Sequence, residues 1–301
     1  MRPVWLKTEL PGRGEFVRVR KILKVLNLDT VCHEARCPNL GRCWADGTAT
    51  IMILGSICTR SCRFCAVKTG RPKPVDPAEV TRVAEAVKDL AIKYLVLTSV
   101  DRDDLADGGA SHFAETVRMV KKTGAKVEVL VPDFSCSDEA IEVVVRSGPD
   151  VFGHNLETVR RLNSTVRDRR CNYDISLSVL KKAKEMSPGL ITKTGIMVGL
   201  GEAEQEVYET MVDAKRVGVQ IFTIGQYLQP TKNHLPVKEY VEPGRFNRYL
   251  RQGSKLGLTV ISGPLVRSSY KAHSVYQRLR RKDGCGGVYH YSNRDRKSLI
   301  K

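Results

Sequence analysis

Short apolar runs rich in branched side chains alternate with longer amphipathic segments from about residue 48 onward. Each run is brief, which is typical of a strand that is buried on both faces of a parallel sheet. The pattern predicts six strands, over residues 51–54, 94–97, 126–131, 150–152, 190–200 and 220–224.

The amphipathic segments between these runs predict helices, and the first is the clearest. Apolar residues recur at helical spacing from Val80 to Leu90. Asp76 stands where an N-cap is expected, Pro77 is the first helical residue, and Glu79 occupies the third position. Further helices are predicted over 111–124, 138–147, 174–187, 202–218 and 243–257, several of which end at glycine.

This alternation predicts an α/β fold with a parallel sheet and right-handed crossovers. A doubly wound sheet and a (β/α) barrel both fit, and periodicity does not separate them. In either fold, ligands bind at the carboxyl ends of the strands. The residues before 48 show little strand pattern, so we expect an N-terminal extension laid against the mouth of a barrel.

The composition narrows the class of protein. Of 301 residues, 42% are hydrophobic, which excludes wholesale disorder. No stretch approaches the ~20 apolar residues of a membrane-spanning helix. The first residues also lack the apolar segment of a secretory signal. We therefore expect a soluble, cytoplasmic protein with no membrane partner.

The chain is strongly basic, with a net charge of +17 from 50 basic and 33 acidic side chains. Such a surplus favours encounters with an acidic partner without identifying it. The segment from Arg278 to Lys301 is especially basic and is either a solvated tail or a binding patch.

Nine cysteines are present, and six of them fall between Cys32 and Cys65. In a reducing cytosol, clustered cysteines indicate metal ligands or catalytic thiols rather than disulfides. The remaining three are isolated in the sequence. We interpret Cys136 and Cys171 as packed or surface thiols, and Cys285 as a free thiol of the tail, with an extra metal or redox contact as the alternative.

The sequence Cys58-Thr-Arg-Ser-Cys62-Arg-Phe-Cys65 forms a CxxxCxxC motif directly after the first predicted strand. Zinc would prefer four ligands, and a redox pair would leave Cys58 unexplained. A cubane iron–sulfur cluster held by three cysteines keeps one iron open for chemistry. The position of the loop at a strand end favours this third interpretation.

A second group, Cys32, Cys37 and Cys43, has Cx₄Cx₅C spacing. A zinc knuckle completed by His33 is the simple alternative. Beside the first motif, an auxiliary iron–sulfur cluster becomes the favoured hypothesis.

The CxxxCxxC motif, with Phe64 before its last cysteine, resembles the signature of the radical S-adenosylmethionine superfamily. The CxxxxCPNxxxCW pattern resembles the lipoyl synthases within it. Further stretches resemble that family in order over roughly residues 3 to 277: 98–109, 154–158, 195–202, 225–230 and 263–270. Arg42, and the stretch 282–291 that contains Cys285, depart from the pattern.

The resemblance implies a partial (β/α)₆ TIM-type barrel over 48–262. It also implies an N-terminal extension over 1–47 that binds an auxiliary cluster, and a C-terminal serine loop with a basic tail over 263–301. The implied reaction inserts two sulfur atoms at C6 and C8 of an octanoyl group attached to a lysine of a lipoyl carrier domain. Two S-adenosylmethionines are consumed, each cleaved to a 5′-deoxyadenosyl radical that abstracts hydrogen.

The resemblance also implies the site residues. Cys58, Cys62 and Cys65 would hold a [4Fe-4S] cluster that binds S-adenosylmethionine through its open iron. The auxiliary [4Fe-4S] cluster, the sulfur donor, would be held by Cys32, Cys37, Cys43 and Ser269.

The predicted cofactor contacts are Phe64, Asn155 and Glu157. Asn155 and Glu157 follow the fourth predicted strand and could reach ribose hydroxyls, or could instead cap a helix. No side chain is predicted to act as an acid, base or nucleophile.

The expected partners are octanoylated lipoyl domains of 2-oxoacid dehydrogenases or the glycine cleavage H-protein. An electron donor such as ferredoxin or flavodoxin and an iron–sulfur cluster carrier are also expected. A tRNA methylthiotransferase of the same superfamily would leave the serine motif unexplained. A zinc-bearing nucleic-acid-binding protein is disfavoured because aromatic residues are only 6% and no basic stripe is interleaved with them.

Overall fold

A computed structural model of the chain describes residues 3–6, 13–30, 39, 43 and 48–281. Three of the cysteines discussed above, Cys32, Cys37 and Cys285, lie outside these residues, as do His33, Arg42 and most of the basic tail. Cys43 and Ser269 are described.

A parallel sheet forms the centre of the molecule, in the order β1-β4-β5-β6-β7-β8-β9. A short parallel pair, β2 and β3, stands apart from it. The strands are β1 (Thr48–Ile53), β2 (Ile57–Cys58), β3 (Lys68–Thr69), β4 (Tyr94–Ser99), β5 (Lys126–Leu130), β6 (Val151–Gly153), β7 (Ile191–Val198), β8 (Ile221–Gln226) and β9 (Thr259–Gly263).

The six predicted helices are confirmed in their predicted order, and three further helices of the described residues, at Arg13–Val25, Asn163–Val166 and Ala272–Arg280, were not predicted. The helices are α1 (Arg13–Val25), α2 (Glu79–Asp89), α3 (Ala110–Lys121), α4 (Asp138–Arg146), α5 (Asn163–Val166), α6 (Tyr173–Met186), α7 (Glu204–Arg216), α8 (Pro243–Lys255) and α9 (Ala272–Arg280). Single 3₁₀ turns cover Val4–Leu6, Phe134–Cys136 and Arg160–Leu162.

The predicted partial barrel is confirmed, with one strand more than the six predicted. The seventh large-sheet strand, β9, pairs in parallel with β8 from Thr259 to Gly263. Only Val260 and Ile261 form an apolar run in this segment, and polar residues flank them. The apolar run was therefore too short to signal a strand.

The prediction for the start of α2 was wrong in detail. The helix begins at Glu79 rather than Pro77, and Ala78 is its N-cap residue. Asp76 accepts a hydrogen bond from the Ala78 amide (3.0 Å), which lies just before the first helical residue. Glu79 is buried instead of capping, and its carboxylate contacts the Leu54 amide and the His112 ring, each at 2.8 Å.

The two faces of the sheet bury different sets of side chains. Alternate strand residues such as Leu95 and Leu97 pack in the main core with α2, α3 and α4. Residues of opposite orientation, including Tyr94 and Val96, pack with the C-terminal segment that contains α9. Period-two alternation sends successive side chains to opposite faces, so α9 covers the concave face of the sheet.

The N-terminal extension joins the same core in its described part. Val19 and Leu23 of α1, with Leu28, belong to the buried cluster that contains Ile51. Asp29 forms an antiparallel bridge with Met52 of β1. Among the helices of the described residues, none combines the length and apolar composition that crossing a bilayer requires.

Candidate active site

The CxxxCxxC loop lies at the carboxyl end of β1, as the sequence predicts. Cys58 ends β2, and Lys68–Thr69 return as β3 beside it. The loop is tied to the end of β4, because the Thr59 amide donates to the Asp101 carbonyl (3.0 Å). Side chains on this loop therefore face the edge where parallel barrels bind their ligands.

Arg60 fastens the loop to the ends of two further strands. Its guanidinium is within 2.6 Å of Asp133, which follows β5, and within 2.7 Å of Asp103, which follows β4. Arg60 is only 5% exposed. Although burial alone would raise it, hydrogen bonds from Arg60 hold the pKa of Asp133 below its ordinary value. Paired, hydrogen-bonded charges of this kind are the form in which buried ions are tolerated.

Backbone amides point at all three cysteine sulfurs, and the donor to Cys65 is Val67. The Sγ of Cys58 accepts from the amides of Arg60 and Asp101, both at 3.4 Å. The Sγ of Cys62 accepts from the Asp168 amide at 3.3 Å. Hydrogen bonds to ligand sulfurs stabilise the thiolate form and tune the potential of iron–sulfur clusters.

Without a metal, the loop favours neutral thiols. Burial, and then the nearby Asp101 carboxylate, raises the pKa of Cys58 to about 12. Burial raises the pKa of Cys65 to about 11. Binding of iron must therefore displace these protons, which couples loading of the site to pH and to the metal itself.

Cys171 is a neighbour that the sequence did not identify. It is buried as expected of a packed thiol, but it is not isolated, because it forms a side-chain hydrogen bond with Cys62. This bond raises the pKa of Cys62 and lowers that of Cys171. The Arg60 guanidinium also contacts the Cys171 sulfur (3.5 Å).

The donor set fits an iron–sulfur cluster better than a single ion. Within the described residues, no three His, Cys, Asp or Glu side chains converge into a group that could hold one metal ion. A cubane spaces its ligands more widely, since each cysteine binds its own iron. Three soft sulfur ligands that accept hydrogen bonds from backbone amides match an iron–sulfur cluster.

The predicted cofactor contacts lie around this loop. Phe64 packs beside Val166, Leu200 and Tyr227. Glu157 occupies a left-handed backbone conformation (φ 65°), and burial raises the pKa of its carboxyl group.

Asn155 does not cap a helix. Its amide donates to the Ser268 hydroxyl at 2.8 Å, and Val159 is the N-cap residue of the next helical turn. The segment after β6 is thereby joined to the C-terminal serine loop.

The serine loop also contacts the N-terminal extension. The Asn39 side chain donates to the Leu265 carbonyl at 2.5 Å, across a sequence separation of 226 residues. The Asn39 carbonyl in turn accepts from the Cys43 amide (2.9 Å). This contact therefore joins the segment of Cys43 to the loop that contains Ser269, and both residues are half-buried.

Arg102, which follows β4, is a structural residue. It is 2% exposed, pairs with Asp104 at 2.7 Å and donates to the Leu54 carbonyl at 3.2 Å. The positive charge of Arg102 is therefore paired within the protein.

Comparison with known proteins identifies two matching families. Residues 52–214 match the radical SAM superfamily, and residues 1–37 match the N-terminal domain of lipoyl synthase of the radical SAM family. A lipoyl synthase from Pyrobaculum calidifontis is 54% identical, over 93% of this chain and 98% of that protein. One from Thermus thermophilus is 52% identical over 91% and 86%. A mitochondrial lipoyl synthase from Aedes aegypti is 50% identical over 95% and 77%.

Solved structures share the fold at low sequence identity. Methylornithine synthase superposes with a TM-score of 0.56 at 13% identity, covering 94% of this chain and 96% of that one. The FeFe-hydrogenase maturase of Carboxydothermus hydrogenoformans gives 0.58 at 12% identity, covering 87% and 73%. The barrel architecture is thus shared well beyond the sequence relatives.

Proposed function

The chain belongs to the lipoyl synthase family, and on this premise we propose how its own residues carry out the reaction of that family. It is a radical S-adenosylmethionine sulfurtransferase that inserts sulfur at C6 and C8 of a protein-bound octanoyl group. Its cofactors are S-adenosylmethionine and two [4Fe-4S] clusters. When bound, one cluster supplies the electron that cleaves S-adenosylmethionine, and the other supplies sulfur.

We assign the first cluster to Cys58, Cys62 and Cys65. The support is their common loop at the carboxyl end of β1 and the amide donors aimed at Cys58 and Cys62. Arg60 holds this loop in register with β4 and β5 through Asp103 and Asp133. The protein thus presents three preplaced thiols and leaves one position for the cofactor.

We assign the auxiliary cluster to Cys32, Cys37, Cys43 and Ser269. The Asn39 contact with Leu265 supports this, since it joins the segment of Cys43 to the serine loop. Thiolate suits iron–sulfur clusters better than a hard serine oxygen. An iron held by Ser269 would therefore be the one most easily released if the cluster gives up sulfur.

Phe64, Asn155 and Glu157 are proposed to contact S-adenosylmethionine. Phe64 lies within the cysteine loop, while Asn155 and Glu157 follow β6 on the same edge of the sheet. Asn155 also reaches Ser268, so one side chain borders both proposed centres.

We propose three segments for the chain: an extension over 1–47, a barrel over 48–262, and a serine loop with a basic tail over 263–301. The end of β9 at Gly263 is consistent with the second boundary.

The substrate is an octanoylated lipoyl carrier protein. We propose lipoyl domains of 2-oxoacid dehydrogenases and the glycine cleavage H-protein as the carriers. A ferredoxin or flavodoxin is proposed as electron donor, and an iron–sulfur carrier as the source of replacement clusters.

These assignments rest mainly on one observation: three cysteines lie on a loop that is held at the ligand-binding edge of a partial barrel. Anaerobically purified protein should be brown and contain about eight irons per chain, four for each cubane. Incubated with S-adenosylmethionine and dithionite, it should add two sulfur atoms to an octanoylated carrier peptide, as read by mass spectrometry.

A matched variant separates the two centres. Replacing Cys58, Cys62 and Cys65 together by alanine should leave about four irons per chain and abolish cleavage of S-adenosylmethionine. Replacing Cys136, a half-buried thiol outside the cysteine loop, by serine serves as the control for loss of a thiol elsewhere. A colourless protein that contains zinc, or retained cleavage in the triple variant, would contradict the assignment.

A further inference from the structure

Four exposed cationic side chains surround the cysteine loop, and together they form a surface that we call the cationic rim: Arg63, Lys68, Arg169 and Lys232. Arg63 lies within the loop, and Lys68 lies on β3 beside Cys58. Arg169 follows Asp168, whose amide donates to the Cys62 sulfur. Lys232 is two residues before His234, whose ring contacts the Cys65 carbonyl (2.9 Å).

Direct contacts show that the rim residues belong to neighbouring segments. The Arg63 amide donates to Val166 and its carbonyl accepts from Leu235, at 3.0 and 3.1 Å. The Arg63 guanidinium also reaches the Thr165 carbonyl (3.2 Å). Three separate loops thus bring their cations to the outer side of one site.

The acidic residues of this region pair with cations outside the rim, so they do not compensate its charge. Asp101, Asp103 and Asp133 pair with Arg60. Asp168 is 6% exposed and pairs with Arg170 at 2.8 Å. Within the described residues, no ion pair is formed by any of the four rim cations, so their charge is available to a partner.

We propose that the cationic rim is the docking surface for an acidic protein that carries single electrons and reduces the cluster held by Cys58, Cys62 and Cys65. This inference rests on the proposed function. The step transfers one electron: the donor is oxidised by one electron, the cluster is reduced by one, and no bond is made or broken in the donor.

Distance is the reason why the rim suits an electron donor rather than the lipoyl carrier. Electron tunnelling falls steeply with separation, so the donor must dock against the loop that holds the cluster. The carrier presents its octanoyl group on a long lysine arm and can deliver it without touching the loop. Charge complementarity would then both orient the donor and speed its arrival.

Nucleic acid does not fit this surface. Binding of single strands combines cations with aromatic side chains that stack on bases. Phe64, the aromatic residue within the cysteine loop, packs into the cluster of Val166, Leu200 and Tyr227.

The test compares two triple charge reversals under anaerobic conditions. The rim variant carries Lys68→Glu, Arg169→Glu and Lys232→Glu. The control carries Lys88→Glu, Arg118→Glu and Lys122→Glu, which reverses the same number of lysines and arginines, exposed on or next to α2 and α3. Bleaching of cluster absorbance is followed after mixing with a reduced, acidic flavodoxin at low ionic strength.

We expect the rim variant to be reduced by flavodoxin roughly tenfold more slowly than wild type or control, a typical size for lost electrostatic steering. Reduction by dithionite, and sulfur insertion driven by dithionite, should be unchanged. In wild type, added salt should slow the flavodoxin reaction, and the rim variant should respond less.

Equal flavodoxin rates in all three proteins would overturn the inference. A raised KM for the octanoylated carrier, with an unchanged flavodoxin rate, would assign the rim to the carrier instead and would also overturn it. Failure of the dithionite reactions in wild type would instead count against the proposed function, so the two can fail separately.

Discussion

At the scale of single residues, the serine loop offers the sharpest test. Ser268 is held by the Asn155 amide, whereas Ser269 is the proposed ligand of the auxiliary cluster. The two hydroxyls are adjacent in sequence and both are half-buried. Substituting one at a time therefore compares a proposed ligand with a sequence neighbour of the same burial class.

We predict that Ser269→Cys keeps the auxiliary cluster but loses sulfur insertion. A thiolate binds iron more firmly than serine oxygen and makes the cluster harder to dismantle. The measurements are the iron content and the mass of the octanoylated carrier peptide after reaction.

The control is Ser268→Cys, which places the same thiol one residue earlier and should keep most of the sulfur insertion. Product formation by the Ser269→Cys variant at the wild-type level would show that this serine does not hold the iron that is released.

The sequence could identify the three cysteines proposed for the first site because their spacing is local. Three thiols within one short loop need no knowledge of the fold. Arg60 and Cys171 could not be found in this way. The partners of Arg60 lie 43, 73 and 111 residues away, at Asp103, Asp133 and Cys171. Their contacts exist only once the strand ends have been brought to one edge.

At the scale of elements, β8 is packed against the chain that leads into the serine loop. A Cβ atom added to Gly225 would lie 2.1 Å from the Val266 carbonyl oxygen. That oxygen belongs to the backbone and cannot move aside by changing a rotamer. The strand therefore needs glycine here because of the close approach of a second segment.

We predict that Gly225→Ala lowers the free energy of unfolding by about 1–3 kcal/mol, a typical cost of overpacking. It should also reduce the iron content, since relief of the clash displaces the segment that leads to Ser269. Thermal unfolding and iron analysis measure the two effects.

Gly244→Ala in α8 is the matched control, because a Cβ there meets nothing within 4 Å. Its stability should be equal to or above that of wild type. If Gly225→Ala unfolds at the same temperature as Gly244→Ala, the packing between β8 and the serine loop is looser than the structure shows.

Element boundaries show which parts of the fold were visible in the sequence. Predicted helices over 138–147 and 243–257 are observed as Asp138–Arg146 and Pro243–Lys255, because capping and turn residues are local signals. The strand β9 and the buried role of Glu79 were missed, because both depend on neighbours that are distant in sequence.

At the scale of the whole molecule, the net charge of +17 gives a prediction for substrate encounter. The rate of association with an acidic octanoylated carrier should fall roughly tenfold or more as ionic strength rises from about 0.01 to 0.15 M, because the Debye length shrinks from about 30 to about 8 Å. Stopped-flow mixing with a labelled carrier measures this rate.

Dissociation should change less with salt, since steering acts mainly on approach. An association rate that does not respond to salt would remove the role of the charge in steering while leaving the chemistry untouched.

The contact between Asn39 and Leu265 has a consequence for synthesis of the protein. Asn39 leaves the ribosome long before Leu265 has been translated. The Cys43 segment and the serine loop therefore cannot meet on a nascent chain until residue 265 has emerged. Truncated products would lack this closure, so incorporation of the proposed sulfur-donating cluster would report that translation had run to completion.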